Sequence, residues 1–137
     1  MPLATLLTPN TPEAELLLDR RIESAENADA AAAALLELGA GAVLLKGGHL
    51  AEGRQVVDRY LDGATRAEFT HARLPVDAHG TGCTLASAIA AQLCNGLRLP
   101  DACESAIDYI ARGLQRGYHP GRSEVMVLDH FGASRPA

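Results

Sequence analysis

Short aliphatic runs and stretches with helical spacing follow one another along the amino-acid sequence. The apolar run over residues 3–7 is closed by Thr8 and Pro9, so it predicts a buried strand that ends in a turn. Thr11 is followed by a proline and two glutamates, the pattern of a helix start with a cap residue, a first-position proline and negative charge near the positive end of the dipole. We expect this short helix to extend to about Arg20.

A second helix and two further strand regions come next. Residues 25–38 carry an alanine-rich tract and stop at Gly39, the usual left-handed end of a helix. The continuous aliphatic run Ala42–Leu45 predicts a parallel strand covered on both faces. Residues 54–73 contain two strand-like stretches around Asp62-Gly63, a dipeptide that favours a tight hairpin turn, and they predict an antiparallel flap.

The remainder of the chain is predominantly helical in pattern. Beyond a loop over residues 77–82, apolar side chains repeat on one face over residues 83–93, and a further amphipathic stretch covers residues 100–117. Residues 125–128 are a candidate terminal strand. Strands that alternate with helices, with one hairpin inserted, predict an α/β fold in which a layered, mainly parallel sheet is flanked by helices.

The composition is that of one ordinary globular domain. The chain has 137 residues, of which 47% are hydrophobic and 21% charged, which is too apolar for intrinsic disorder and too short for two full domains. We therefore assign residues 1–137 to a single domain. Aromatic residues make up only 4% and tryptophan is absent, so the core must be built from aliphatic side chains and alanines.

The charge pattern argues against nucleic-acid and membrane partners. The formal net charge is −5, and no cluster of lysine and arginine interleaved with aromatics provides the electrostatic footprint of a nucleic-acid-binding protein. Residues 78–97 carry no formal charge, but their threonine, serine, glutamine and asparagine side chains favour a buried helix over a membrane span. The three cysteines are odd in number and form no closely spaced pair, which points to reduced thiols in the cytoplasm.

The most informative segment is Asp-Ala-His-Gly-Thr-Gly-Cys over residues 77–83, where a loop becomes a long apolar helix. Glycines there let the backbone approach a ligand, and the unpaired amides of a helix start can bind an anion, with phosphate as the natural occupant. The pattern also fits a tight turn in which Thr81 caps the helix, and spacing alone leaves the two interpretations about equal. A Walker P-loop is excluded, because Lys46 is followed by Gly47 and not by serine or threonine.

Cys83 stands at the amino end of this helix, where the helix dipole and neighbouring amides favour a thiolate. The thiol is therefore a candidate base or nucleophile, although a free cysteine is more often simply buried, as we expect for Cys94 and Cys103. A cysteine phosphatase would need an arginine shortly after the cysteine, and none follows here. A zinc site built on His79 and Cys83 lacks a second closely spaced pair of ligands.

Three residues elsewhere in the sequence are candidates for binding a ligand or a metal ion. Lys46, the only lysine, closes the run Ala42–Leu45, and ligand-binding groups in open α/β sheets lie at such strand ends. Asn10 and Glu13 are three residues apart, and an amide with a carboxylate can hold a hydrated Mg²⁺. Each has a plain alternative, since the lysine can be a solvated charge and the other two can belong to a helix start. Strand ends and a helix start can meet at one edge of a sheet, which would bring these residues to the glycine-containing loop.

Three segments occur in one order along the chain: Thr8-Pro-Asn-Thr-Pro-Glu13, Leu45-Lys-Gly-Gly-His49 and His79-Gly-Thr-Gly-Cys-Thr84. With them the chain resembles the hydroxymethylpyrimidine/phosphomethylpyrimidine kinases of thiamine biosynthesis, in the ribokinase-like superfamily. The resemblance implies a kinase that uses ATP and Mg²⁺ to phosphorylate a small-molecule substrate, hydroxymethylpyrimidine or its monophosphate.

The resemblance also implies roles for individual residues. In that family the Gly-Thr-Gly segment, here Gly80, Thr81 and Gly82, forms the anion hole under the transferring phosphoryl group. The following residue is usually an aspartate elsewhere in the superfamily and is the catalytic base, so Cys83 would take the base's place, as is characteristic of this branch.

Asn10 and Glu13 would lie near Mg²⁺ and the phosphates, and Lys46 would approach the nucleotide phosphates. The resemblance covers nearly all of this chain but only the carboxy-terminal part of a family member, so the expected fold is ribokinase-like and truncated at its amino-terminal side. Most of the pyrimidine pocket belongs to the absent region, and phosphoryl transfer depends on holding acceptor and donor in line. We therefore expect a homo-oligomer, or a partner chain that supplies that region. The alternatives are a non-catalytic oligomerisation or regulatory remnant, and a kinase of pyridoxal or pyridoxine type.

Overall fold

The computed structural model describes residues 2–50, 53–74, 78–122 and 124–134. Five helices and three strands lie in these ranges, and the chain divides into two compact units, Met1–Arg73 and Leu74–Ala137. No helix in the described ranges combines the length and the apolar composition that crossing a bilayer requires.

Two helices begin the first unit, α1 over Thr11–Leu18 and α2 over Ala25–Glu37. α1 ends earlier than expected because Asp19 adopts a left-handed conformation with a φ of 49°. Its cap is Asn10, and the expectation that Thr11 is the cap is wrong, since Thr11 is already helical. α2 matches the expected range closely, because local signals define both of its ends: a serine cap before it and a left-handed glycine after it.

The sheet of the first unit has the order β1-β2-β3, with β1 over Ala42–Leu45, β2 over Gln55–Asp62 and β3 over Arg66–Ala72. β1 has the bounds that its apolar run predicts, and all four of its residues are buried. The hairpin is confirmed, and Asp62 Oδ1 accepts two amide hydrogen bonds across its turn at 2.7 and 2.6 Å. β2 is the middle strand, so the hairpin is part of the sheet and not a separate flap.

Parallel pairing within the described residues is limited to single bridges, whereas both strand pairs are antiparallel. Residues 3–7 form no strand there; Leu7 makes one parallel bridge to Val43. Leu3 is 98% exposed, so the expectation of a buried strand is wrong. Pro9 has no amide hydrogen, so it cannot extend the pairing of Leu7 with β1 by a further bond.

The core of the first unit is aliphatic and rich in alanine, as the composition predicts. Small side chains on α2 allow the helix to lie close to its neighbours at the packing density of protein interiors. One aromatic residue, Tyr60, is also fully buried, and its hydroxyl donates to Asp62 Oδ2 at 2.6 Å. The buried cluster consists of Ala14, Ile22, Ala28, Ala31, Ala32, Leu35, Ala40, Val43, Leu45 and Leu50.

The second unit contains α3 over Thr81–Cys94, α4 over Leu99–Gln115 and α5 over His130–Ala133. α3 begins two residues earlier than its apolar pattern suggests, so Thr81 and Gly82 lie in its first turn and not in a loop. The sequence pattern did not predict α5, a single turn whose cap is the side chain of the residue before it.

The expected terminal strand over residues 125–128 is wrong. Met126 forms one parallel bridge and Val127 one antiparallel bridge, and the chain then turns into α5. Leu128 instead packs against α4 at Gly113, where a Cβ would lie 3.0 Å from the Leu128 side chain. Burial of this leucine against a helix therefore replaces the expected sheet pairing.

Candidate functional site

The amino-terminal end of α3 is formed without a capping side chain from any described residue. Gly80 is the N-cap and has a left-handed φ of 82°, which glycine adopts without strain. The amide of Thr84 donates to the carbonyl of Gly80 at 2.9 Å, so the amides of residues 81–83 precede the first bond of the helix. A Cβ at Gly80 would meet no described atom within 4 Å. This helix start can therefore receive an external acceptor, and the helix dipole favours an anion.

Among the described helices, α1, α2 and α5 differ from α3 in this respect, whereas α4 also has no capping side chain. Asn10, Ser24 and Asp129 each cap their helix through a side-chain oxygen that accepts a backbone amide. The interpretation of Thr81 as the cap of α3 does not hold, since it is the first helical residue. Asp77, the first residue of the glycine-containing motif, lies outside the described residues.

Cys83 presents an exposed thiol in the first turn of α3. It lines a groove of about 540 Å³ in the second unit, whose other α3 residues are small or uncharged. A groove of this volume is in the range that holds a small molecule. The arrangement places a sulfur atom next to the bare amides, as a proton acceptor or nucleophile of a phosphoryl-transfer site would require. The lining residues from α3 are Cys83, Thr84, Ser87, Ala88, Ala91 and Gln92.

Tyr109 and His130 complete the groove, and the sequence analysis did not identify them. The Tyr109 hydroxyl lies 3.1 Å from His130 Nδ1, and the two rings stack with a centroid distance of 6.2 Å. They belong to α4 and α5, which are distant from Cys83 along the chain, so no local sequence pattern connects them with the cysteine. Only the packing of the three helices reveals the groove.

The two remaining cysteines differ from one another. Cys103 is buried, and burial raises the pKa of its thiol to about 12. Cys94 is exposed. The expectation of a core thiol is therefore confirmed for Cys103 and wrong for Cys94, because Cys94 occupies the last turn of α3 on a face that the second unit leaves open.

In the first unit, Asn10 and Glu13 form a capping box at the start of α1. Asn10 Oδ1 accepts the amide of Glu13 at 2.8 Å, and Glu13 Oε2 accepts the amide of Asn10 at 2.8 Å. Helix capping thus explains their spacing. Glu13 is exposed, and its second oxygen, Oε1, makes no hydrogen bond with the described residues, so the carboxylate fits a hydrated Mg²⁺.

Lys46 follows β1 directly, and its backbone is bonded on both sides. Its amide donates to the carbonyl of Pro9 at 2.9 Å, and its carbonyl accepts the Thr11 hydroxyl at 3.3 Å. A parallel bridge also joins Lys46 with Asn10. The first unit therefore brings the lysine next to the capping box, because the segment before α1 runs alongside the end of β1.

The backbone after Lys46 lies so close to β2 that only glycine fits. A Cβ on Gly47 would overlap the carbonyl oxygen of Val57 and would lie 2.9 Å from its carbonyl carbon. The Gly47 amide donates to Asp58 Oδ1 at 2.9 Å, and Asp58 Oδ2 lies 3.1 Å from His71 Nε2. The hydrogen bond to Asp58 raises the pKa of His71 above the ordinary 6.5, although burial acts in the opposite direction.

Sequence reasoning assigned no role to Asp58 or His71. The one signal was a charged residue at an inward position of a strand, and its partners are identifiable only from the register of the hairpin.

The candidate residues form two groups: Asn10, Glu13 and Lys46 in the first unit, and residues 80–83 in the second. The described residues contain no group of three or more histidine, cysteine or acidic side chains arranged to hold a metal.

A model of the phosphomethylpyrimidine kinase family matches residues 1–128. Over 134 residues the chain is 47% identical to the hydroxymethylpyrimidine/phosphomethylpyrimidine kinase of Mycobacterium tuberculosis. The match covers 97% of this chain and 49% of that protein. Over 126 residues the chain is 48% identical to the thiamine biosynthesis bifunctional protein ThiED of Geobacter sulfurreducens. This match covers 87% of the chain and 26% of that protein. The chain spans about half the length of the curated kinases that it matches.

Solved structures of kinases are also similar to this chain. The pyridoxal kinase from Staphylococcus aureus in complex with AMP-PCP and pyridoxal has a TM-score of 0.90 and 34% identity, over 98% of this chain and 50% of that one. The phosphomethylpyrimidine kinase from Clostridium difficile has a TM-score of 0.67 and 31% identity, over 82% of this chain and 44% of that one. These likenesses confirm the expected α/β, ribokinase-like fold.

Proposed function

The chain belongs to the phosphomethylpyrimidine kinase family, and we propose that it is the nucleotide-binding part of an ATP-dependent kinase acting on hydroxymethylpyrimidine or its monophosphate in thiamine biosynthesis. The observation that carries the proposal is the start of α3, where bare amides follow Gly80 and an exposed thiol stands beside them. The membership in the family supports the choice of reaction and substrate.

Each residue of this helix start has a proposed part in the transfer. The amides of Gly80, Thr81, Gly82 and Cys83 form the anion hole and stabilise negative charge on the transferring phosphoryl group. The Cys83 sulfur accepts the proton of the substrate hydroxyl as the hydroxyl oxygen attacks. ATP supplies the γ-phosphoryl group and leaves as ADP, and Mg²⁺ would neutralise charge on the phosphates.

Three residues of the first unit also have proposed roles. Lys46 binds the nucleotide phosphates as a point charge. Asn10 and Glu13 would hold a hydrated Mg²⁺, which is bound through few protein ligands.

We also propose that the chain forms a homo-oligomer or binds a partner chain that supplies the part of the pocket enclosing the pyrimidine. We place the protein in the cytoplasm, where thiols such as Cys83 remain reduced.

Nucleotide binding is tested by the melting temperature of the protein with and without ATP and Mg²⁺. A ligand at about a hundred times its Kd stabilises the folded state by about 2.7 kcal/mol, which shifts the melting temperature by several degrees. Thr81→Asp puts a carboxylate at the anion hole and should abolish the shift, whereas Thr81→Asn, of nearly equal size and uncharged, should largely keep it. Equal shifts for both variants, or none for the parent protein, would refute the anion hole.

Catalysis is tested with Cys83→Ala in a complex in which the missing region is supplied. The variant should lose phosphoryl transfer while its stabilisation by ATP stays close to the parental value, because the sulfur acts on the acceptor and the amides bind the donor. Transfer at the parental rate would show that Cys83 is not the base.

Pyridoxal phosphorylation is the second candidate function, and the likeness to the Staphylococcus aureus enzyme favours it. Comparing hydroxymethylpyrimidine and pyridoxal as acceptors, at equal concentrations in the same complex, separates the two activities. A chain that neither binds nucleotide nor supports transfer of phosphate to either acceptor would be a non-catalytic oligomerisation or regulatory remnant.

A further inference from the structure

We propose that Asp58 is a positioning residue that holds the backbone beside Lys46, and through it the lysine side chain, in place for the nucleotide phosphates. The inference rests on the function proposed for Lys46. It adds to that function a buried side chain of the β2–β3 hairpin, which lies outside the three sequence segments that suggested a kinase.

Asp58 uses both of its carboxylate oxygens. The residue is 5% exposed, and a carboxylate removed from water in this way needs strong partners. Oδ1 accepts the amide of Gly47 at 2.9 Å, and Oδ2 lies 3.1 Å from Nε2 of His71 on the neighbouring strand. The buried charge is therefore bonded directly to the residue that follows Lys46.

The segment after Lys46 is also held at its carbonyl groups. Arg73 donates from Nη1 to the carbonyl of Gly48 and from Nη2 to that of Leu50, both at 2.5 Å, and from Nε to that of Gly53 at 3.3 Å. The Asp58 carboxylate thus binds the amide at the start of the loop that follows Lys46, and the Arg73 guanidinium binds carbonyl groups further along this loop. Both come from the β2–β3 hairpin and its end, so the hairpin determines the path of the loop.

Lys46 lies between this loop and the segment before α1. Its own amide and carbonyl are bonded to Pro9 and Thr11, while the next amide is bonded to Asp58. These bonds restrain the backbone dihedrals on both sides of the lysine Cα, and the Cα–Cβ direction follows from those dihedrals. Asp58 therefore affects where the ammonium group can reach, although it does not contact it.

The chemistry of the Asp58–His71 pair indicates that Asp58 positions the backbone more than it stabilises the fold. A buried ion pair or charged hydrogen bond is often no more stabilising than well-packed apolar side chains of similar volume. Asp58 is nevertheless a buried carboxylate in the middle strand. What the carboxylate adds is a bond of defined direction to one amide, that of Gly47.

The test compares Asp58→Ala with the conservative Asp58→Asn. Asparagine keeps an oxygen for the Gly47 amide, and its NH₂ can donate to a neutral His71 at about pH 8, well above the ordinary imidazole pKa of about 6.5. The affinity of the full chain for ATP with Mg²⁺ is measured by isothermal titration calorimetry. We expect Asp58→Ala and Lys46→Ala each to weaken binding about tenfold, and Asp58→Asn to remain within about twofold of the parent.

The double variant separates positioning from a general structural effect. If Asp58 acts through the lysine, adding Asp58→Ala to Lys46→Ala should change the affinity less than about twofold further. Two independent tenfold losses that multiply in the double variant would overturn the proposal. So would parental affinity in Asp58→Ala when Lys46→Ala binds weakly.

Hydrogen exchange of the Gly47 amide in the nucleotide-free protein provides a readout that does not depend on ATP. Exchange should be about tenfold or more faster in Asp58→Ala than in Asp58→Asn. Should Asp58→Ala fail to fold, Asp58→Val replaces it, since it fills the site with an apolar β-branched side chain. Equal exchange in the two variants would overturn the positioning role. Parental affinity in Lys46→Ala would instead refute the function proposed for the lysine.

Discussion

The backbone contact between Gly47 and Val57 makes Gly47→Ala a severe substitution. The new Cβ would overlap the Val57 carbonyl oxygen and lie 2.9 Å from the carbonyl carbon, so the Cβ must move about 1.4 Å away from the oxygen to reach an ordinary 3.4 Å contact. Neither atom belongs to a side chain that could turn away. Overpacking of this kind costs about 1–3 kcal/mol. The movement also stretches the bond from Gly47 to the buried carboxylate of Asp58, and a bond to a charged group contributes about 1.5–3 kcal/mol.

We therefore expect Gly47→Ala to lower the free energy of unfolding by about 3–5 kcal/mol. Gly48→Ala is the matched control, because its Cβ would have no described atom within 4 Å, and it should change stability by less than about 0.5 kcal/mol. Urea denaturation followed by far-UV circular dichroism measures both variants. Equal losses for the two alanines, or a loss below about 1 kcal/mol for Gly47→Ala, would show that the close approach to β2 is not what requires glycine.

Two further predictions concern cysteine reactivity and pH. Iodoacetamide should alkylate Cys83 and Cys94 in the folded protein but spare the buried Cys103, whose pKa of about 12 keeps it protonated; mass spectrometry that finds Cys103 labelled before unfolding would contradict this burial. Asp58 raises the pKa of His71 above 6.5 while Arg73 opposes it, so the charged imidazole stabilises the folded state at low pH and this contribution is lost as the pH rises through the folded-state pKa. The stability advantage of the parent over His71→Gln should therefore be largest below about pH 6.5 and shrink at higher pH, and an advantage that grows with pH would refute the pairing.

Local signals in the sequence predicted several elements of this fold well. The apolar run that became β1, the alanine-rich α2 between a serine and Gly39, and the hairpin at Asp62 depend mainly on residues that are neighbours in the chain. Short-range hydrogen bonding and backbone conformation explain these successes.

Elements that depend on a partner elsewhere in the chain were predicted less well. Residues 3–7 and 125–128 have strand-like composition, yet whether such a run becomes a strand depends on a continuous row of backbone partners, and the described residues provide only single bridges. The groove between α3, α4 and α5 likewise exists only after three helices have packed together.

The sequence alone was enough to identify the residues for which we propose a role in phosphate binding, because glycines, a helix start and a strand-end lysine are local features. Tertiary structure decided which other groups touch them. The hairpin register places Asp58 on the Gly47 amide and His71 behind it, and no spacing along the chain indicates that contact. The reason is physical: a hydrogen bond depends on distance and direction in space, and a polymer brings distant residues together only through the packing of its apolar surfaces.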